Sequence, residues 1–447
     1  MRKFWLALLA LGLVAAFSMP AFAAVDGKFS GSLRVRGWYD DNLKSLDKEK
    51  YAGAGARQFY DNRLRMQPEF KIAEGLTLTT RFDALERKWG ETLSTGGSVN
   101  FNDSVNMDRA YVTFDTKGGR FMVGYQENKT FGTVFGNSGA NTSVGMIKYL
   151  LPVGSFTMVA AIEKGREDVA AAGTRIDSDY DVYDLGIVYK FKSGDAGLMF
   201  QNVRNAVMRQ LAGTPYIREF YIFDPYVKMK MGPVYLEAEG LYATGNWAKY
   251  EQGTTVPMPQ DIKFEQSGFY LMANVDLAPM YVGGMFAYSS GDDGSDATKK
   301  KTGLFRELAL NESVNASLML MSYEYTNQVG MRYPVGSSST VTPERGYGHY
   351  GDNIWFYQLF AGIKPMKELD IRATISYAYA DKKPAANWIS DKIGTEFDLT
   401  ATYKIFDNLE YMVGFGYLWV GDYFKGTDTS AVTANDYLVM HQLTLTF

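Results

Sequence analysis

Amphipathic stretches of about ten residues recur along this chain, joined alternately by short turns and long polar loops. Residues 105–127 show the unit. Ala110, Val112 and Phe114 alternate with Arg109, Tyr111 and Thr113. A TKGG turn follows at 116–119, and Phe121, Val123 and Tyr125 then alternate with Arg120, Met122, Gly124 and Gln126. Alternation of period 2 gives a strand one apolar and one polar face. Two such strands, one tight turn and one long loop are the repeat of a transmembrane β-barrel. A soluble sandwich also contains hairpins, but nothing in a sandwich demands that long and short connections alternate.

The pattern continues from end to end. Besides the two strands of that hairpin, strands are expected at 28–39, 57–72, 76–87, 144–151, 155–164, 180–191, 196–207, 219–230, 234–244, 263–275, 280–289, 354–364, 370–381, 393–406, 410–420 and 436–447. The expected fold is therefore all-β: an antiparallel transmembrane β-barrel of 18 strands, with nine long loops and eight short turns. A count of 16 stays open because 144–151 is short. Both termini fall on the short-turn side, which faces the periplasm in bacterial barrels. Residues 291–353 form the longest interruption and are expected to be a long extracellular loop. Its apolar patch at 316–323 reads as loop or local packing, since one more strand would break the even count that single-chain barrels require.

Residues 1–23 have the make-up of a signal peptide: Arg2 and Lys3, an apolar run at 4–17, and Ala21-Phe22-Ala23 before the cut. That leaves 24–447 as the barrel. The chain's 46 basic residues less Arg2 and Lys3 leave 44 against 50 acidic, a net charge of −6. No later segment offers 18 consecutive apolar residues. Any membrane span must then be made of strands closed on themselves. Aromatic residues make up 15% of the chain, as two interfacial girdles require. There is no cysteine, so no disulfide and no thiol chemistry.

Three features together resemble the Gram-negative outer-membrane porins of the general-diffusion kind. They are the signal peptide running straight into a charged amphipathic strand, the DRAYVTF–TKGG–RFMVGYQ hairpin leading into a Phe/Gly-rich loop, and the last strand, YLVMHQLTLTF, ending on Phe447. The resemblance implies a bacterial outer-membrane location among lipid and lipopolysaccharide, with the barrel-insertion machinery reading the strand that ends at Phe447. It also implies that the third loop, 127–143, folds inward as a constriction carrying Glu127, Phe131 and Phe135. Glu127 is the only acidic residue of that loop, so an acidic constriction is not implied.

Charge on the inward faces suggests what such a pore would favour. Arg34, Arg36, Arg63, Arg65, Arg81 and Arg109 fall on the inward register of the first four strands. Guanidinium is permanently charged and rigid, and charged rings set selectivity in pores. The plainer reading is that these arginines solvate the lumen and pair with Glu69 and Asp83. Glu237 and Glu239 face inward on strand eleven, because Val234, Leu236 and Ala238 take the other face. In an 18-strand ring that strand lies opposite Arg63 and Arg65. The expected function is passive diffusion of small hydrophilic solutes with a mild anion preference. The alternatives are a channel specific for sugars, organic acids or phosphate, or a structural or adhesive barrel working through its long loop. No enzyme is expected: no nucleophile elbow, Walker A or H-E-x-x-H motif occurs. His441 falls on the lipid-facing register without a serine partner on an adjacent strand. A polar group facing hydrocarbon is costly, and a subunit contact would cover it, so a homotrimer is expected. Asp292, Asp293 and Asp296 read as a solvated loop tip rather than a Ca²⁺ site, with lysines at 299–301 close behind. No cofactor, metal or nucleic-acid partner is expected.

Overall fold

Eighteen antiparallel strands follow one another in sequence order around a ring. They are β1 (Asp26–Asp40), β2 (Arg57–Ala73), β3 (Leu76–Lys88), β4 (Asn106–Thr116), β5 (Gly119–Glu127), β6 (Ser143–Val153), β7 (Phe156–Arg166), β8 (Tyr180–Phe191) and β9 (Gly194–Asn205). The second half is β10 (Tyr216–Met231), β11 (Val234–Tyr250), β12 (Ile262–Leu277), β13 (Met280–Ser289), β14 (Ile354–Met366), β15 (Leu369–Tyr379), β16 (Lys392–Phe406), β17 (Leu409–Val420) and β18 (Asp436–Thr446). A two-residue strand, Lys299–Lys300, lies parallel to β12 outside the ring. The structure is a computed structural model that describes residues 26–42, 45–51, 55–90, 105–127, 131–135, 143–167, 177–209, 213–253, 257–304, 316–322, 324–325, 329 and 352–447. The expected signal peptide lies outside the described residues.

The ring closes where β1 pairs with β18, from Ser32↔Thr446 to Asp40↔Leu438. Phe447 extends the seam: its carbonyl accepts from the Gly31 N–H at 2.8 Å, and its own N–H donates to the Gly31 carbonyl at 3.1 Å. Closure leaves no unpaired edge, which is the condition for a sheet to sit in hydrocarbon. The outward faces meet the second condition. Leu359, Leu185, Ile162, Ile147 and Val439 stand exposed there. Aromatic pairs flank this apolar surface. Tyr39–Tyr437, Tyr60–Trp89 and Trp355–Tyr379 lie toward the long loops; Phe29–Phe70, Phe121–Tyr149 and Phe156–Tyr189 lie toward the short turns. An apolar band between two aromatic girdles is the exterior of a membrane barrel.

Eighteen is the count the alternation predicts, and the doubt over strand six disappears. β6 has 11 residues rather than the eight expected, running on through Pro152. The one large boundary error is β11. The sequence suggests a loop from Gly245, yet β11 continues to Tyr250. Gly245 sits at φ 151°, where a Cβ would press on the Glu219 carbonyl at 2.5 Å. The register with β10 and β12 then slips near Asn246. A glycine at a bulge kinks a strand without ending it.

The inward faces are not wet throughout. Phe220, Ile222, Leu241, Ala243 and Phe264 point inward and are buried, while their neighbours Tyr221 and Phe223 point outward. β10 is thus apolar on both faces over this stretch. A second apolar cluster joins Trp38, Met319, Leu320, Phe356, Ile393, Leu418 and Leu438. Both clusters exist because loop segments fold back into the barrel and cover them.

Candidate functional site

Residues 131–135 of the third loop lie inside the barrel. Phe131 packs edge-on against Tyr226, with ring centroids 4.9 Å apart, and beside Met199. The wall is shaped for it: a Cβ on Gly197 would stand 2.9 Å from the Phe131 ring. Phe135 is 5% exposed and fills the cluster of Val203, Phe220, Ile222 and Phe264. Glu239 holds the backbone between them. Its Oε2 accepts the Thr133 N–H and hydroxyl, both at 2.8 Å, and the Val134 N–H. Gly132 makes the turn at φ +73°, and a Cβ there would collide with the Glu239 carboxylate. Glu239 does face inward, but at 1% exposure it is a clamp on the loop and presents little charge to water. Glu237 also faces inward and accepts hydroxyl hydrogen bonds from Tyr235 and Tyr270, each at 2.7 Å. Residues 128–130 and 136–142 lie outside the described residues.

The six arginines of β1–β4 form a ladder on the inward face, and each meets a carboxylate. Arg34 pairs with Glu324 at 2.9 Å. Arg36 contacts Asp61 at 2.9 Å and Glu324 at 2.5 Å. Arg63 lies 3.6 Å from Glu86. Arg65 binds Asp83 through two parallel hydrogen bonds, 2.7 and 2.6 Å. Arg81 pairs with Asp108, and Arg109 with Glu127 at 3.1 Å. Asp83 is an expected partner; Glu69 is exposed and plays no such part among the described residues. Two partners arise from irregular strands that period-2 reading misses. Leu85 takes φ +55°, and the adjacent register shift in the β2–β3 pairing leaves Glu86 beside Arg63. A slip between Arg81 and Phe82 in the β3–β4 pairing leaves Asp108 unmatched and within reach of Arg81. Asp61 shares the inward register of Arg63 and Arg65 and is legible in the sequence. Glu324, more than 280 residues from its partners, is not.

Glu324 belongs to a second inward segment, within the long 291–353 loop. The backbone N–H groups of Met319 and Leu320 each donate to Glu396 of β16 at 2.7 Å. The Gln358 side-chain amide donates to the Ala316 carbonyl at 2.6 Å, and the Tyr325 hydroxyl to Asp40 at 2.5 Å. Met319 is fully buried. Burial alone would raise the Glu324 carboxyl; Arg36 and Arg34 outweigh it and hold it down to about 2. So each inward segment is held the same way, with a wall carboxylate accepting two backbone N–H groups. Such charge-assisted bonds are roughly twice as strong as neutral ones.

Among the described residues, two cavities border these segments and the wall. One, about 330 Å³, lies beside Phe131 and is lined by Lys148, Glu163, Asp184, Gln201 and Lys228. The other, about 360 Å³, lies beneath the second segment and is lined by Arg34, Arg36, Trp38, Glu324, Arg372 and Met440. Lys148, Lys228 and Arg372 share the inward register yet do not stand out by spacing.

No protein-family profile and no curated protein matches the sequence. Solved structures do match. The crystal structure of Acinetobacter baumannii OccAB1 aligns with a TM-score of 0.54 at 13% identity, over 96% of this chain and 99% of that one. Pseudomonas aeruginosa OccK5 (OpdH) gives 0.50 at 12% identity, over 94% and 98%. A BenF-like porin from Pseudomonas fluorescens Pf-5 gives 0.49 at 13% identity, over 96% and 100%. The fold is that of the outer-membrane porins. Within this barrel, the described residues 131–135 pack against inward-facing Tyr226 and Glu239.

On the porin barrel's outer wall, His441 does face away from the lumen. Its ring sits over Gly37, between Tyr60 at 5.5 Å and Tyr411 at 5.8 Å. The imidazole is therefore partly sheltered by its own barrel. At the loop tip, Asp292, Asp293 and Asp296 accept backbone N–H groups from Gly294, Ser295 and Thr298.

Proposed function

We propose that this chain is an outer-membrane channel, not an enzyme, through which small hydrophilic solutes diffuse passively with a mild preference for anions. The observation that carries this reading is the inward segment 131–135, clamped to Glu239 beside a cavity that remains lined by charged side chains. Barrels of this strand number leave an aqueous lumen, and a segment fixed across it narrows the passage without sealing it. The anion preference is mild because six guanidiniums on β1–β4 meet six carboxylates: Glu324, Asp61, Glu86, Asp83, Asp108 and Glu127. Arg372 supports a residual positive balance, having no carboxylate at ion-pair distance among the described residues.

Replacing Arg34, Arg36, Arg63, Arg65, Arg81 and Arg109 by Gln leaves the six carboxylates unopposed. The reversal potential in a KCl gradient then moves toward cation selectivity; no movement places the ladder off the permeation path. Solute-dependent saturation of the current would favour a substrate-specific channel. The loop containing 291–304 faces outward from the cell in this reading, and lipopolysaccharide surrounds that rim. Phe447, seated over Gly31 at the seam, is the end read by the insertion machinery. A homotrimer would add cover to His441; heat-labile oligomer bands on unboiled gels test it, and a strictly monomeric species in mild detergent removes it.

A further inference from the structure

Glu396 and Asp398 stand two residues apart on the inward face of β16, at 0% and 3% exposure. Their carboxyls meet within hydrogen-bond reach. Between them they fasten three consecutive N–H groups of the second inward segment. Glu396 accepts from Met319 and Leu320 at 2.7 Å each, and Asp398 Oδ2 accepts from Leu318 at 3.4 Å. The Thr374 hydroxyl donates to the same Oδ2 at 2.9 Å. Asp398 Oδ1, by contrast, is buried with no donor among the described residues. Gly416 of β17 leaves room for that oxygen, since a Cβ there would stand 2.9 Å from it.

Among the described residues, no cation pairs with either carboxyl. Arg372 of β15 lines the same cavity as Asp398, but it is stacked on Phe360. Arg34 and Arg36 of β1 are committed to Glu324 and Asp61. β17 and β18 bring Gly416, Leu418 and Met440 to this region, all uncharged. The Asp422–Lys425 turn lies against β16 with its two charges paired at 3.0 Å and Tyr423 buried. Two ionised carboxyls side by side in a dry wall repel, and water cannot screen them. A single proton removes both difficulties. Carried on Asp398 Oδ1, it donates to a Glu396 oxygen and leaves Glu396 ionised to accept its two N–H groups.

We infer that Glu396 and Asp398 hold one proton between them, and that this proton latches the inward segment at 316–322. When hydroxide takes the proton, forming water, two like charges face each other and the fastenings open as the pair parts. The latched state binds the proton and the opened state does not, so the latch is closed at neutral pH and is lost as pH rises. Its consequence for permeation, a conductance that grows as the latch opens, rests on the channel reading. The latch itself is testable without any current.

The full chain in detergent is taken from neutral to about pH 10, and infrared difference spectra are read for the carboxylic C=O stretch. A band should be lost on the alkaline side, and Asp398→Asn should lack that band throughout. In parallel, brief chymotrypsin digestion within 316–322 is compared with that of Asp398→Asn at each pH, which cancels the protease's own pH profile. Native cleavage should rise about tenfold over the variant's, because the asparagine amide donates to Glu396 as the proton does and does not titrate. Thr374→Val withdraws a donor from ionised Asp398 and should move both transitions to higher pH; it carries the test if Asp398→Asn does not fold. The absence of a titrating carboxylic band overturns the proposal. So does parallel cleavage of the native chain and Asp398→Asn at every pH, or a transition that Thr374→Val leaves in place. A titrating latch in a barrel that conducts no ions would leave the proposal standing and remove the channel reading instead.

Discussion

Glu239 shows how far a single residue can be read. Strand alternation puts it on the inward face, and its place nine strands from β2 puts it across the ring from Arg63 and Arg65. Its task is not legible, because the groups it binds, Thr133 and Val134, lie more than a hundred residues away on a loop without periodicity. Gly132 is its counterpart: only a residue without a side chain fits against that carboxylate at positive φ. Glu239→Ala removes the acceptor of three hydrogen bonds, each worth on the order of 1 kcal/mol. Single-channel recordings should show larger and noisier steps, and Gly132→Ala should do the same by collision. Steps identical to those of the native chain in both variants would show that the clamp does not set the constriction. Glu324 gives a pH test. Its carboxyl is held below its ordinary value of 4.5, to about 2, so the stabilisation it lends is fully present above 4.5 and is lost as pH falls toward 2. The Trp38 emission should therefore hold steady down to pH 4 and change below it, and Glu324→Gln should abolish that acid transition.

Among the elements, those that span the wall were the most legible, since period 2 and turn chemistry are local. The largest boundary error came where a local rule was overridden: β11 runs through Gly245 because a bulge absorbs the irregularity. The inward segment at 316–322 was legible only as an apolar patch. Its place depends on Glu396, Gln358 and Asp40, contacts that join distant parts of the chain. Two further outcomes follow for intact cells. Protease should cut near the exposed lysines 299 and 301 while sparing 316–322 and the 116–119 turn. Glu396→Ala leaves two buried N–H groups without an acceptor, a loss of about 1–3 kcal/mol for each, and should open 316–322 to cleavage. Cleavage at 116–119 in the native chain would instead invert the orientation of the barrel.

For the whole molecule, closure of the ring, the apolar belt and the two aromatic girdles all agree with the long/short alternation of the connections. The sequence did not reveal how much of the interior is dry. Two inward segments cover apolar clusters, so the water path is confined to what their charged borders leave open. A channel narrowed in this way must still conduct, and must conduct more when the inward third-loop segment is gone. The purified chain and a variant lacking residues 130–139 should therefore be compared in planar bilayers in KCl. Discrete conductance steps in the native protein, with larger steps in the deletion, are the predicted result. A well-folded barrel that gives no steps, or steps that the deletion leaves unchanged, would contradict it.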